Sequence, residues 1–392
     1  MKRRTAQLPL HNGKAPAWLF QRMQRLAGAI TMAVVQEYGP EEMLNRLADP
    51  WWFQAFGCVL GFDWHSSGLT TVTCGALKEA YRETGADMGI HVAGGKGASS
   101  RKTPQQIDSI VDSRGISTGE RLIYSSRMSA KVDSAAVQDG CQIYAHTFFF
   151  TDNGRWCVVQ QGLDEPGGVA RRYHWLSESF NDFVCEPHAG FHDNTGVEKN
   201  TETDSRAMSS SDSLLNMVAE EGEENRKACT ELTQEDPDKL HEMLTRYTEG
   251  PTLFVPERHL VLPRDVNVKR MRSSFRNIHE QAPEDFQKLL ETKGVGPASV
   301  RALALLAELI HGTPPSRRDL AGAEDEDQER SGHCWADYSY AHGGKDGTPF
   351  PVDREAYDRS ITVLTDAVRQ ARMGRTEKNK AFRRLSCFFQ ER

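Results

Sequence analysis

The sequence lacks any apolar run long enough to cross a membrane, since none approaches the roughly 18 residues of a spanning helix. Its 8 cysteines are scattered without a Cys-x-x-Cys pair, which argues against a zinc site built mainly from cysteine. Such cysteines are typical of buried residues or free thiols in a reducing compartment. The opening MKRRTAQLPLHNG is basic but has no apolar segment of a secretory signal. We therefore expect a cytoplasmic protein that does not associate with membranes.

The chain has fewer basic than acidic residues, 48 Lys and Arg compared with 55 Asp and Glu, which gives a formal net charge of -7. This balance alone argues against a protein that wraps nucleic acid. Much of the acid is local, however, in Glu220–Glu224 and Glu324–Glu329. Binding of phosphate requires only a local basic face. The charge balance therefore leaves nucleic acid open as a partner.

Helical and strand patterns occupy different parts of the 392 residues. Residues 16–48 repeat apolar side chains at helical spacing, and residues 142–151 and 156–160 are short β-rich runs joined by Asp152-Asn153-Gly154, a strong hairpin signal. The composition is polar and acidic over 193–235, and the pattern is helical from about 236. We predict an α+β protein, with an α/β domain at 1–192, an acidic mobile linker or insertion at 193–235, and a mainly helical domain at 236–392.

Residues 284–311 carry the clearest functional signal. They read EDFQKLLETKGVGPASVRALALLAELIH, which predicts a helix, a glycine-bracketed turn and a second helix that begins at proline. Glycines let the backbone approach a phosphate closely, and the start of the second helix offers free N–H groups. This pattern predicts a helix-hairpin-helix element that binds the DNA backbone without base specificity. Its binding residues are Lys293, Gly294, Val295, Gly296, Pro297 and Arg301, with Lys269 and Arg270 broadening the basic face.

Two other interpretations of this region stay open. The helices also fit an ordinary αα-hairpin in a helical core. Alternatively, the hairpin resembles that of helix-hairpin-helix base-excision glycosylases, and Phe350–Arg354 is similar to the segment that carries their catalytic Asp, here Asp353. The intervening residues 312–349 are longer than the connection in that class, and no Lys stands where its lyase subgroup has one. Asp353 is equally explained as the cap of a helix that begins near Arg354.

Taken whole, the chain resembles domain-of-unknown-function family 763, a bacterial and archaeal family. The resemblance runs from near residue 8 to near residue 385 and implies no established activity. The family pattern does not require Asp at position 353, which weakens the glycosylase interpretation. The matching stretches are Leu8–His11, Ala15–Leu19, Asp63–Gly68, Gly94–Pro104, Ser126–Met128, Lys131–Asp133, Gln138–Gly140, Val158–Gly162, Ala170–Leu176 and His342–Gly347.

The N-terminal half places acids, histidines and basic residues inside otherwise apolar segments. Asp and His clusters bind Mn²⁺ or Mg²⁺. In the hydrolysis of a phosphodiester, such a metal ion activates a water molecule and a nearby Lys or Arg stabilises the developing negative charge. We therefore predict a metal-dependent nuclease, although each acid alone is also explained as a cap or an ion-pair partner. The candidate metal ligands are Asp63, His65, Asp133, Asp139 and His146. The candidates for the scissile phosphate are Arg127, Lys131 and Arg171, with Gln160 to orient water.

The loop Gly94–Pro104 has the glycines and basic residues that could bind a phosphate, but it lacks the Gly-Lys-Ser/Thr ending of a P-loop and is equally explained as a flexible surface loop.

A protein without catalytic activity, which binds DNA or acts as an adaptor in repair or recombination, remains the alternative to the nuclease, because no catalytic motif is complete.

Overall fold

The computed structural model describes residues 6–9, 15–62, 67–164, 169–191, 214–249, 266–320 and 354–370. The strands are β1 (Ala6–Pro9), β2 (Ile90–Lys96), β3 (Val137–Gln138), β4 (Gln142–Thr151), β5 (Trp156–Asp164), β6 (Val169–Leu176), β7 (Gly190–Phe191) and β8 (Leu215–Asn216). The α-helices are α1 (Ala17–Tyr38), α2 (Pro40–Ala48), α3 (Pro50–Val59), α4 (Gly68–Met88), α5 (Ala98–Arg101), α6 (Thr103–Arg114), α7 (Gly119–Lys131), α8 (Glu223–Leu232), α9 (Pro237–Glu249), α10 (Val268–Gln281), α11 (Phe286–Glu291), α12 (Pro297–His311) and α13 (Arg354–Gln370). A π-helix spans Val132–Ala136.

The main sheet has the strand order β1-β6-β5-β4-β2, with β7 beside β6, and every pair is antiparallel. The α+β class is therefore confirmed, but within the described residues the strands of the predicted α/β domain pair antiparallel rather than parallel. A short turn ending at Gly154 joins β4 to β5, as predicted. Short turns of this kind can connect only antiparallel neighbours. The strand β5 continues to Asp164, four residues beyond the predicted end.

Each face of the sheet packs against its own set of helices. One face, with Phe149, Cys157 and Val159, packs against α1–α4. The opposite face, with Phe148 and Trp156, packs against α7, the π-helix and α8–α12. Side chains alternate between faces along a strand, so the central strands are buried on both sides.

The structure changes the predicted domain division at two places. Residues 214–235 include β8, which pairs with β3, and α8, whose Cys229 and Leu232 are buried, so the predicted linker is wrong over this part. Residues 193–213 lie outside the described part. The helix α13 belongs to the same core as α1–α4, because Tyr357 and Ile361 are buried there.

Among the described residues, none of the helices combines the length and the apolarity that crossing a membrane requires.

Candidate functional site

Two helices joined by a tight turn occupy the region where the sequence predicted a hairpin. The side chain of Asp285 caps α11 by accepting the Lys288 N–H at 2.7 Å. After α11 the chain turns through Gly294, whose φ of +90° is in the region that favours glycine, and α12 begins at Pro297. Asp285 and Pro297 therefore set the start of both helices, and Gly294 allows the turn between them. We call Thr292–Pro297 the hairpin turn.

Backbone N–H groups at the hairpin turn are available to a ligand. Val295 is 3% exposed and donates its N–H to the Thr292 carbonyl at 3.2 Å, so it anchors the turn in the core. In the described part of the chain, the N–H groups of Gly294 and Gly296 have no hydrogen-bond acceptor. A Cβ added to Gly296 would meet no atom within 4 Å. The turn therefore presents open backbone donors beside the start of α12, where the helix dipole is positive.

Exposed basic side chains lie on the hairpin turn and at the start of α10. Lys293 is exposed on the turn itself, and Lys269 and Arg270 are exposed at the start of α10. Glu291, the acid closest to the turn in sequence, pairs with Lys288 at 3.0 Å. The described contacts therefore leave an excess of positive charge here, within a chain of negative net charge.

A further basic pair follows along α10. Arg272 and Arg276 both pair with Asp238, at 2.8 and 3.0 Å, so one carboxylate faces two guanidinium groups. The amide of Asn277 donates to the Lys293 carbonyl and fixes the turn against α10. Because α10 and the turn are joined directly, their basic residues form one surface.

Lys131, predicted to bind a scissile phosphate, contacts the hairpin turn instead. It is the last residue of α7, directly before the π-helix, and its ammonium group donates to the Val295 carbonyl. On the other side of the π-helix, Gln138 donates to the Pro297 carbonyl at 2.9 Å and accepts from Arg301 Nε at 2.8 Å. Burial lowers the pKa of Lys131. Lys131 and Gln138 therefore hold the turn against the sheet, and Arg301 belongs to that contact.

Three of the predicted site residues, Asp133, His146 and Gln160, meet in one buried hydrogen-bond network. Asp133 accepts from His188 Nε2 at 2.5 Å, from Trp175 Nε1 at 2.9 Å, and from the amide of Gln160. His146 Nδ1 lies 2.8 Å from Gln160 Oε1. We call these five residues, with Ser126, the Asp133 cluster.

The orientation of Gln160 determines the protonation of His146. The Gln160 amide nitrogen faces Asp133 and the Ser129 carbonyl, so its oxygen is left to accept from His146 Nδ1. His146 Nε2 then carries the lone pair that accepts from the Ser126 hydroxyl at 3.0 Å. Burial lowers the pKa of His146. The network therefore holds a neutral imidazole of one tautomer.

Asp139 belongs to a different network from Asp133. It accepts from Arg171 at 3.1 Å and from the Tyr173 hydroxyl at 2.6 Å, and Arg171 also pairs with Asp319 at 2.6 Å. Although burial opposes its charge, these carboxylates keep the pKa of Arg171 above its ordinary value. Arg171 is therefore engaged in a buried ion pair, where the sequence analysis predicted a phosphate contact.

The described residues do not fit the predicted metal centre. No three His, Cys, Asp or Glu side chains within the described ranges are grouped to hold an ion. The groups that face Asp133 from Gln160 and Trp175 are the amide nitrogen and the indole N–H, donors that satisfy a carboxylate but cannot coordinate a cation. Asp63 and His65 lie outside the described residues. We therefore derive no step through a metal ion.

Arg127 lies apart from the Asp133 cluster. Its exposed side chain lines a cavity of about 420 Å³ between α6 and α7, which Asp108 and Glu120 also line. Two carboxylates at the same cavity make it a poor site for a phosphate. The structure therefore does not bring Arg127 together with the other candidates.

A second buried network, which was not predicted from the sequence, surrounds Arg172. Its guanidinium group is fully buried and donates to His174 at 2.8 Å, Gln54 at 2.8 Å, Thr70 at 3.3 Å and the Pro50 carbonyl at 3.2 Å. Burial lowers the pKa of Arg172 to about 9. The sequence signal for this network was the alternation along β6 of Arg171, Tyr173 and Trp175 with Arg172 and His174. Because alternate residues of a strand lie on opposite faces, this pattern places polar side chains on both faces of the sheet.

His188, the other residue that was missed, gave no comparable signal. It precedes the two-residue strand β7 in a polar segment, and only the fold brings it to Asp133.

The family described as "Protein of unknown function (DUF763)" matches residues 4–352 of the chain. No curated protein and no solved structure matches.

Proposed function

This chain belongs to the DUF763 family, and we propose that it is a DNA-binding protein whose hairpin turn binds the phosphate backbone without base specificity. The observation that carries this proposal is the pair of glycine N–H groups at Gly294 and Gly296, which have no acceptor in the described part of the chain. They lie beside the N-terminus of α12. A phosphate oxygen is the natural acceptor for such groups, because it is anionic and accepts several hydrogen bonds.

The surrounding charge supports DNA rather than a single small anion. Lys293 on the turn and Lys269 and Arg270 on α10 are exposed. Asn277, which joins α10 to the turn, lies seven residues after Arg270, and residues seven apart share one face of a helix. Several cations on one helix face and the adjoining turn match a polymer of phosphates, and backbone contacts carry no sequence information. The cytoplasm remains the proposed location.

Replacement of Gly296 by Ser tests the proposal. The φ of −147° is an extended conformation that any residue adopts, and a Cβ there has open space. Serine is a better N-cap than most residues: its hydroxyl accepts the Ala298 or Ser299 N–H at the start of α12, and its side chain occupies the open space beside the turn that a phosphate would enter. We expect Gly296→Ser to keep or raise the melting temperature. We also expect it to weaken DNA binding by about tenfold, the loss of roughly one charge-assisted hydrogen bond.

The matched control is Gly75→Ser on α4, where an added Cβ meets only Phe20 atoms at 3.8 Å. This variant should bind DNA like the wild type. Fluorescence anisotropy with labelled duplexes of unrelated sequence measures both, at several salt concentrations, and affinity should fall steeply with salt. A Gly296→Ser protein that is folded and binds as tightly as the wild type would contradict the proposal.

Cleavage of DNA is a separate proposal, which rests on the sequence. Three of its candidate residues lie outside the described residues: the metal-ligand candidates Asp63 and His65 and the glycosylase candidate Asp353. The carboxylates of Asp133 and Asp139 accept hydrogen bonds from other side chains of the protein. Incubation of labelled single- and double-stranded DNA with Mn²⁺, Mg²⁺ or a chelator decides between a nuclease and an adaptor. Metal-dependent products that Asp63→Asn abolishes, without loss of DNA binding, would establish the nuclease.

A further inference from the structure

The glycine loop between β2 and α6 is a fixed platform rather than a flexible loop. The Gly97 N–H donates to the Tyr144 carbonyl at 2.8 Å, and the Ser100 N–H donates to the Gly97 carbonyl at 3.1 Å. The Thr103 hydroxyl donates to the Ser100 carbonyl at 2.7 Å. These bonds hold the loop against the start of β4. We call Lys96–Lys102 together with Tyr144 the loop platform.

The loop platform is exposed, and all its formal charge is positive. Lys96, Arg101 and Lys102 are exposed, and none of them forms an ion pair with a carboxylate of the described residues. The chain holds no Asp or Glu from Gly89 to Ile107, and Asp108 is the first acid after it. Three cations on a fixed backbone, without a neighbouring acid in the sequence, suit a polyanion.

Tyr144 adds an aromatic face to these charges. Its side chain is half-buried, and the Lys96 ammonium lies 5.4 Å from the ring centroid. Burial raises the pKa of Tyr144 to about 12, so the phenol stays neutral at physiological pH. An aromatic ring beside cations is the combination that binds single-stranded nucleic acid, with bases stacked on the ring and phosphates on the cations.

The loop platform is close in the chain to the contact that holds the hairpin turn. Gln138 binds Pro297, and Tyr144 follows six residues later along the chain. Six residues span at most about 22 Å. A strand of B-form DNA rises about 3.4 Å per nucleotide along the helix axis, so at most about six nucleotides of duplex separate the two places.

We propose that the loop platform binds unpaired nucleotides of the DNA whose backbone the hairpin turn holds, so that the preferred substrate is a duplex with a single-stranded tail. This inference rests on the proposed function and deepens it by naming the class of DNA. Tyr144 stacks on a base that pairing no longer covers, and Lys96, Arg101 and Lys102 contact the phosphates. A blunt duplex offers no base face, so it gains little from the platform.

The test compares two labelled probes by fluorescence anisotropy, a blunt duplex and the same duplex with a single-stranded tail of either polarity. Tyr144→Leu should weaken binding of the tailed duplex by about tenfold, the contribution of one stacked base. Tyr144→Phe retains the ring and should bind like the wild type. Neither variant should change affinity for the blunt duplex.

The charges are tested by the triple variant Lys96→Gln, Arg101→Gln and Lys102→Gln. It should weaken binding of the tailed duplex by at least tenfold and reduce the salt slope of log K by about two, since each neutralised phosphate contributes about 0.7 for a single strand. The matched control replaces Arg82, Arg155 and Arg359 by Gln, which removes the same charge from exposed positions elsewhere.

The outcomes separate this inference from the proposed function. If Gly296→Ser weakens both probes but the platform variants bind both like the wild type, the inference is wrong and the proposed function stands. Equal losses on both probes would also overturn it, because they indicate general electrostatics. A wild-type protein that binds neither probe contradicts both.

Discussion

At the residue scale, the sheet carries ionisable groups inside both of its cores. His146 and Gln160 face one side with Asp133, and Arg172 and His174 face the other. An unsatisfied polar group is costly at such a depth, whereas a fully bonded network fixes one arrangement of the core. The described hydrogen bonds therefore suggest that these groups specify the fold.

The first residue-scale prediction concerns acid. Burial lowers the pKa of His146 and of His174 in the folded chain, while the unfolded chain has the ordinary value near 6.5. Below about pH 6.5 the unfolded state therefore binds protons at these histidines that the folded state does not bind. The two histidines should not reduce the free energy of unfolding above this pH, and below it the free energy of unfolding should fall by about 1.4 kcal/mol per pH unit for each proton.

Urea unfolding at pH 7.5 and pH 5.5 measures this loss. His146→Gln should be less stable than the wild type at the higher pH but should lose less stability between the two. His311→Gln, at the exposed end of α12, controls for removing a histidine as such. If His146→Gln loses as much free energy of unfolding between pH 7.5 and pH 5.5 as the wild type does, His146 does not cause the loss.

The second residue-scale prediction concerns Arg172. Lysine lacks the planar fork that reaches His174, Gln54, Thr70 and the Pro50 carbonyl together. Arg172→Lys should therefore leave buried acceptors unpaired and cost about 2–4 kcal/mol in urea unfolding. Arg155→Lys, at an ion pair exposed to solvent, should change stability by less than about 0.5 kcal/mol. Equal effects of the two substitutions would contradict this role.

At the scale of elements, Gly94 within β2 and Gly97 directly after β2 have different requirements. A Cβ at Gly94 would overlap the backbone carbonyl oxygen of His146, whereas one at Gly97 would meet nothing within 4 Å. Both have positive φ, +93° and +61°. Gly94 therefore serves close approach of two strands, and Gly97 serves only the turn.

Alanine substitution should separate these roles. Gly97→Ala should cost about 1–3 kcal/mol, the strain of an L-residue at a φ of +61° and a ψ of −121°. Gly94→Ala carries the same kind of strain and must also displace β4, so we expect a loss above about 3 kcal/mol. Melting temperature and urea midpoint measure both. Similar losses would show that β2 and β4 separate without difficulty.

At the scale of the whole molecule, the hairpin and the sheet are parts of one structure. The core that contains Phe148 and Trp175 also contains Leu303 of α12, and Lys131 bonds to the hairpin turn. A DNA backbone held by the turn is therefore held at a fixed position relative to the sheet.

Unfolding should accordingly be a single transition. Leu303→Ala on α12 and Leu77→Ala on α4 each empty a buried site and should each cost about 2–5 kcal/mol. Far-ultraviolet circular dichroism and tryptophan fluorescence should report coincident urea curves for both variants. An early, separate transition in Leu303→Ala alone would show that the helical part unfolds independently.

Several local features could be predicted from the sequence. Asp152-Asn153-Gly154 specified the β4–β5 turn, and Gly294 with Pro297 specified where α12 begins, because turns and helix starts depend on neighbouring residues. The α+β class followed from the separation of helical and strand patterns. Membership of the family followed from motifs spread along the chain.

Other features depend on residues that are distant in sequence. Glu220–Glu224 is acidic, and its composition predicted a linker, but Cys229 and Leu232 after it are buried against α12. The same limit applies to Asp133, because its partner His188 is 55 residues away and only the packing of the π-helix under the sheet joins them. Local sequence determined turns, helix starts and the exposed glycines. Tertiary structure decided which polar groups are buried together, because that depends on the faces of strands and helices that fold against each other.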